Sequence, residues 1–125
     1  MIAYLDTHAA VRLSDGRGRI GRNAARLIQR ADLRCSPIVL VEMEYLFEIG
    51  RLTLPAKDIL QKLEHELGVG ICDLSFSKVA EASLHEKWTR DPFDRIIVAQ
   101  AKANGLAWLI SADEQVAKHY QRTVW

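Results

Sequence analysis

Ile2-Ala3-Tyr4-Leu5 runs directly into Asp6-Thr7-His8, and a hundred residues later Leu106-Ala107-Trp108-Leu109-Ile110-Ser111 runs into Ala112-Asp113. Each stretch is a short apolar strand that stops on an aspartate. In an open α/β sheet, ligands collect in the crevice outside the carboxyl ends of the strands. Two strand-ending aspartates can therefore meet in one site despite their separation in sequence. Further acids beside them could not all stay ionised without a cation.

Between these ends, strands and helices alternate. A helix over about 8–13 follows the first strand, then the polar loop Ser14-Asp15-Gly16-Arg17-Gly18. The next helix, about 20–31, sets Ile20, Ala24, Leu27, Ile28 and Ala31 on one face and Arg22, Arg26 and Arg30 opposite. The strand Leu33-Arg34-Cys35 ends at Ser36-Pro37, an N-cap followed by proline at the first helical position. The helix it opens, about 37–49, is apolar nearly all round and reads as a buried central helix.

Pro55 starts a helix carrying Ile59, Leu60, Leu63 and Leu67 that Gly68 closes, and 69–74 reads as a third strand. Ser75 caps a helix bearing Val79, Ala80, Ser83 and Leu84. Asp91-Pro92 opens another that ends near Asn104-Gly105. The strand 106–111, a short helix near 114–119 and a last strand 123–125 follow. Strands separated by helices predict an α/β fold, a three-layer α/β/α arrangement on a parallel sheet of about four to five strands. With 125 residues and no repeat, low-complexity segment or linker, the chain reads as a single domain, 1–125.

Composition excludes little. Hydrophobic residues make up 49% and charged residues 26%, which is ordinary globular usage. No apolar run approaches a membrane span, and the start lacks the regions of a secretory signal, so a cytoplasmic protein with no membrane partner is expected. Cys35 and Cys72 sit in apolar strands and read as free buried thiols. The net charge is +1, but residues 12–34 carry Arg12, Arg17, Arg19, Arg22, Arg26, Arg30 and Arg34 against Asp15 and Asp32. Such a stripe is usually a solvated helix face; beside an acidic centre it would suit phosphates.

The acids divide by how easily they are explained away. Asp6 and Asp113 each precede a helix and could be simple N-caps. Asp91 suits the same role, with Asp94 complementing the helix dipole in the first turn. Glu42 lies mid-helix among Ile38, Val39, Tyr45 and Leu46, where an ionised carboxylate is costly unless paired or bound to a metal. Glu44, with Glu48 beside it, has a more polar side to face, although spacing alone does not separate the two. His65, His85 and His119 read as surface residues, and His8 as first-turn packing. No nucleophile-elbow, P-loop or zincin motif is present.

Leu5-Asp6-Thr7-His8-Ala9, Ser36-Pro37 with Glu42, Arg90-Asp91-Pro92-Phe93-Asp94-Arg95-Ile96-Ile97-Val98-Ala99-Gln100-Ala101, and Leu109-Ile110-Ser111-Ala112-Asp113 occur in the order seen in PIN-domain proteins. More narrowly, the chain resembles the VapC toxins of bacterial toxin–antitoxin pairs over essentially its whole length. The resemblance maps the family's four acids onto Asp6, Glu42, Asp94 and Asp113, with Thr7 and Ser111 at accompanying hydroxyl positions and Asp91 in a subfamily motif. It implies a Mg²⁺- or Mn²⁺-dependent ribonuclease acting on single-stranded RNA, with Asp6, Glu42 and Asp94 at the metal and Asp113 an outer or second-metal ligand. It also implies a cognate antitoxin and a homodimer, for which Trp88, Trp108 and Trp125 could supply surface. Arg12, Arg22, Arg26 and Arg95 become candidate RNA contacts.

Two rival classes are weighed against it. A phosphatase with a nucleophilic aspartate after the first strand would want a second acid two positions on, where His8 stands. A non-catalytic binding module would not need four convergent acids.

Overall fold

The computed structural model describes residues 1–16 and 18–125; Arg17, counted above in the arginine stripe, lies outside the described residues. Its five strands are β1 (Ile2–Leu5), β2 (Asp32–Cys35), β3 (Gly70–Ile71), β4 (Trp108–Ile110) and β5 (Thr123–Val124). They form one sheet in the order β3-β2-β1-β4-β5, with every pairing parallel. Central β1 is flanked on both edges and covered on both faces, which is why Ala3, Tyr4 and Leu5 are all buried.

The helices among the described residues are α1 (Thr7–Asp15), α2 (Arg22–Ile28), α3 (Pro37–Glu48), α4 (Ala56–Leu67), α5 (Phe76–Ser83), α6 (Pro92–Ala103) and α7 (Glu114–His119). The chain moves outward from β1 to β2 and β3, then crosses back to β4 and β5 on the other side. Right-handed crossovers in opposite directions deliver their helices to opposite faces, so the three-layer α/β/α reading holds. The same reversal leaves a crevice at the carboxyl ends of β1 and β4, where the two strand-ending aspartates lie.

Several boundaries move for local reasons. The first helix is longer than the spacing predicted because the Asp6 carboxylate accepts from the Ala9 amide at 2.8 Å and Gly16, at φ 69°, closes it in a left-handed turn. α2 is shorter than 20–31. It starts after Gly21, where an added Cβ would stand 2.1 Å from the Trp125 backbone. β3 keeps only two of six expected residues, because the chain leaves the sheet at Cys72, whose Sγ accepts from the Tyr4 hydroxyl at 2.9 Å and the Leu74 amide at 3.4 Å. Ser75 makes no capping bond; its hydroxyl pairs with that of Ser77 at 2.8 Å.

The largest correction concerns α3. It is not a buried central helix: only Val39 and Met43 are buried, while Val41, Tyr45 and Ile49 are 55%, 51% and 48% exposed. Its apolar circumference therefore serves two surfaces, one packed on α4 and α6 and one facing outward. The three tryptophans are partly buried against the core. Both cysteines are free and buried, and burial pushes the Cys35 thiol up to about 12. Among the described residues no helix is long and apolar enough to cross a membrane.

Candidate active site

Asp6 is fixed from two directions. Its backbone amide donates to Ile110 O of β4 at 3.1 Å, tying the end of β1 to its neighbour, and its Oδ1 is held by the Ala9 amide. The side chain is buried, and burial raises its pKa; the Ser111 hydroxyl, the Ala9 amide and His8 oppose that rise, while Asp113 adds to it. Asp6 is thus an N-cap and a member of an acidic cluster at once.

Thr7, also buried, donates its hydroxyl to Glu42 Oε1 at 2.5 Å. This bond bridges α1 and α3 and turns Glu42 toward the end of β1. Burial raises the Glu42 pKa against the Thr7 bond, and Asp91 and Asp6 push it further. Glu44 goes elsewhere: its Oε1 accepts from the Ala56 amide at 3.1 Å, capping α4, whose N-cap position is held by Pro55. The two glutamates that spacing left unresolved are thereby assigned different jobs.

Asp91 caps α6, accepting from the amides of Phe93 at 2.8 Å and Asp94 at 3.3 Å. That fixes the first turn and leaves the Asp94 carboxyl directed at the other acids. Its pKa is pushed up to about 7, first by burial and then by Asp91, Asp113, Glu42 and Asp6. Asp113 caps α7 through the amides of Gln115 and Val116 and donates its own amide to the Ser111 hydroxyl at 3.1 Å. His8 does not pack into the first turn as expected. It is exposed, and its charge lowers the pKa of both Asp6 and Glu42.

The structure therefore brings Asp6, Glu42, Asp94 and Asp113 within electrostatic reach of one another. The ion pairs among the described residues, Arg34–Asp32 and Lys102–Glu86, supply a basic partner to none of them. The donor set is hard oxygen with unmet negative charge, which suits a divalent cation. Among the described residues no three acidic, histidine or cysteine side chains form a ready-made cage.

Beneath the acids lies a buried polar network that the sequence did not announce. The Ser36 hydroxyl, at the N-cap of α3, donates to Gln100 Oε1 of α6 at 2.9 Å. Gln100 Nε2 reaches Cys72 Sγ at 3.4 Å, and Asn104 Nδ2 donates to the Tyr4 hydroxyl at 2.6 Å. Ser36 and Gln100 thus link the helices that carry Glu42 and Asp94. The one available signal was a glutamine inside the apolar run of α6.

The arginines do not form a single rim. The Arg12 guanidinium lies 5.1 Å from the Trp125 ring centroid and contacts Arg19 O at 3.4 Å. Arg22 opens α2 and is exposed. Arg26 lines a hollow with Met1 and Trp108, at the amino ends of the strands and away from the acids. Arg95 follows Asp94 on α6, with its Nε buried and unpartnered among the described residues.

A family model described as PIN domain matches residues 3–121. Two solved structures are similar over nearly their whole length. One is a toxin–antitoxin complex from Klebsiella pneumoniae, at 22% identity over 98% of this chain and 96% of that one, with a TM-score of 0.64. The other is VapBC2 from Rickettsia felis bound to a DNA fragment from their promoter, at 22% identity over 99% and 96%, with a TM-score of 0.65. At that identity they speak for the fold alone. No curated protein matches the chain significantly.

Proposed function

This chain belongs to the PIN domain family, and we propose that it is a metal-dependent endoribonuclease that cuts single-stranded RNA as the toxin of a toxin–antitoxin pair. One observation carries the chemistry. Four carboxylates gather at the switch point of a parallel sheet with no lysine or arginine paired to any of them among the described residues. Three of them, Asp6, Glu42 and Asp94, have raised pKa values, first through burial, so the fold by itself disfavours ionising them and a cation would restore that ionisation.

Asp6, Glu42 and Asp94 would hold Mg²⁺ or Mn²⁺, directly or through water, with Asp113 as an outer or second-metal ligand. When bound, such an ion lowers the pKa of a coordinated water and neutralises charge on phosphoryl oxygens. The chain's own residues do the positioning. The Ala9 amide holds Asp6 Oδ1. Thr7 fixes one oxygen of Glu42 and leaves the other. Ser111 braces both Asp6 and the backbone of Asp113. Two helix-capping bonds hold the first turn of α6 so that Asp94 faces its fellow acids.

The partner half of the reading is supported by α3. Its outward face, where Tyr45 stacks on Phe93 at 6.1 Å between centroids, carries a groove of about 430 Å³ in which Leu40, Val41 and Tyr45 are bordered by Glu44 and Glu48. Exposed apolar surface of this kind marks protein contacts. An antitoxin, or a second copy in a homodimer, would cover it. The two similar structures are toxin–antitoxin complexes, which agrees with an antitoxin partner.

The test is cleavage of single-stranded RNA by purified protein with Mg²⁺ or Mn²⁺ and with EDTA. Asp6→Asn should lower metal-dependent cleavage by at least about a hundredfold, a loss that ligand-sphere changes commonly reach, with an unchanged circular dichroism spectrum. Equal cleavage by wild type and folded Asp6→Asn would refute the mechanism.

A further inference from the structure

Beside α2, a hollow of about 380 Å³ runs along the sheet from Met1 and Trp108, at the amino ends of β1 and β4, to Val124, which pairs with Ile110 in the neighbouring strand. Leu27, Trp108 and Val124 give it an apolar floor, and Asn23, Arg26 and Arg30 form its rim. The rim residues stand three and four positions apart. This spacing puts them on one face of α2 and of the turn that continues it, where the Arg30 amide donates to Leu27 O at 3.0 Å. A third guanidinium, that of Arg122, lies 5.5 Å from the centroid of the Trp108 ring. The ion pairs among the described residues take none of these three arginines. Asp32, whose amide bonds to Met1 O beside the hollow, is held by Arg34 at 2.8 Å.

We propose that this hollow is a second RNA site, which takes one unpaired nucleotide of the strand being cut, its base against Trp108 and its phosphates against Arg26 and Arg30. The proposal rests on the ribonuclease reading above. An indole bordered by guanidiniums is the combination that holds single strands without regard to sequence, since every base has a stacking face and every nucleotide a phosphate. It also accounts for part of the arginine stripe, because Arg26 and Arg30 face this hollow rather than the acidic centre. Five residue-to-residue steps along β1 lead from Met1 to Asp6, roughly 16 Å of strand. A strand anchored at Trp108 can therefore reach the acids within a few nucleotides. The acidic centre repels phosphate until a cation is present, and a distal basic anchor supplies the attraction it lacks.

The probe is a fluorescein-labelled oligouridylate of about 12 nucleotides, a length that single-strand platforms cover, titrated in EDTA so that nothing is cut. Arg30→Glu should weaken its binding about tenfold. Lys78→Glu, the same charge change on exposed α5, should change it by less than about twofold. Unlabelled oligouridylate should quench tryptophan fluorescence in wild type, and Trp108→Phe should remove most of that quenching with an unchanged circular dichroism spectrum. Equal losses in Arg30→Glu and Lys78→Glu, or quenching that persists in Trp108→Phe, would overturn the proposal. So would a hollow that responds to polyglutamate and not to RNA, which would make it a seat for an acidic peptide. Wild type that shows all the expected binding signatures yet leaves the oligonucleotide intact with Mn²⁺ would support this site and remove the nuclease assignment, so the two failures are distinct.

Discussion

Two places in this molecule bury carboxylates, and they treat them in opposite ways. Glu86 is 3% exposed, meets Lys102 Nζ at 2.5 Å and accepts from Trp88 Nε1 at 2.8 Å. The Lys102 ammonium also lies 5.7 Å from the Tyr120 ring centroid. Every requirement of that acid is met from within the chain. Asp6 and Glu42 receive hydroxyl or amide bonds and the distant offset of exposed His8, but neither they nor Asp94 has a lysine or arginine partner among the described residues, and burial together with neighbouring acids raises the pKa of each. Burial is common to both places, and only the counter-charge differs. Where the chain supplies it, the acid serves the fold; where the chain withholds it, the acids are kept for something that arrives from outside.

That contrast can be attacked first at the paired acid. Lys102→Met leaves Glu86 buried with only the Trp88 bond and should cost about 2 kcal/mol, below the full penalty for a buried pair because Lys102 is itself partly exposed. Asp6→Asn, which removes a charge that has no partner, should leave the stability of the metal-free protein unchanged or raised. Urea unfolding of both variants in EDTA compares them directly, and equal losses would erase the distinction.

A smaller effect is expected at the network beneath the acids. Gln100→Leu leaves the buried Ser36 hydroxyl without its acceptor and should cost about 1–2 kcal/mol. Because it loosens α3 against α6, it should also raise the Mn²⁺ concentration needed for half-maximal cleavage. A variant that loses stability but keeps the wild-type metal requirement would show that the network only supports the fold.

The smallest effect is the pH dependence. Asp94 has a folded-state pKa of about 7 against an ordinary 3.8, so the folded chain binds this proton more tightly than the unfolded chain does. Its contribution to stability is therefore complete below the unfolded value and is lost as pH rises through about 7. In EDTA, Asp94→Asn should gain melting temperature relative to wild type as pH rises from about 5 to about 8, because the asparagine cannot ionise. A constant difference across that window would contradict the raised pKa.

The sequence made the alternation of strands and helices legible, because each cap and each glycine or proline punctuates it locally. It also marked two strand-ending aspartates, Asp6 and Asp113, while Glu42 and Asp94, both on helices, joined them only through the resemblance to PIN-domain proteins. What it concealed was long-range. Ser36 meets Gln100 across 64 positions, and nothing local in either residue foretells the bond. The apolar circumference of α3 showed that both sides avoid water, but not that one side lacks a cover within this chain. The arginine stripe read as one surface because its residues are close in sequence, although Arg12 lies on Trp125 while Arg26 faces Met1 and Trp108. His8, close behind Asp6 in sequence, read as first-turn packing, yet it ends exposed beside the acids.

The central claim is that the counter-charge missing from the Asp6, Glu42, Asp94 and Asp113 cluster is a divalent cation. Isothermal titration of the pure, folded protein with Mn²⁺ tests it without any substrate. The account predicts saturable binding in wild type that is lost in Asp6→Asn and retained in Lys102→Met. Absence of saturable binding in wild type, or binding that survives intact in Asp6→Asn, would contradict it.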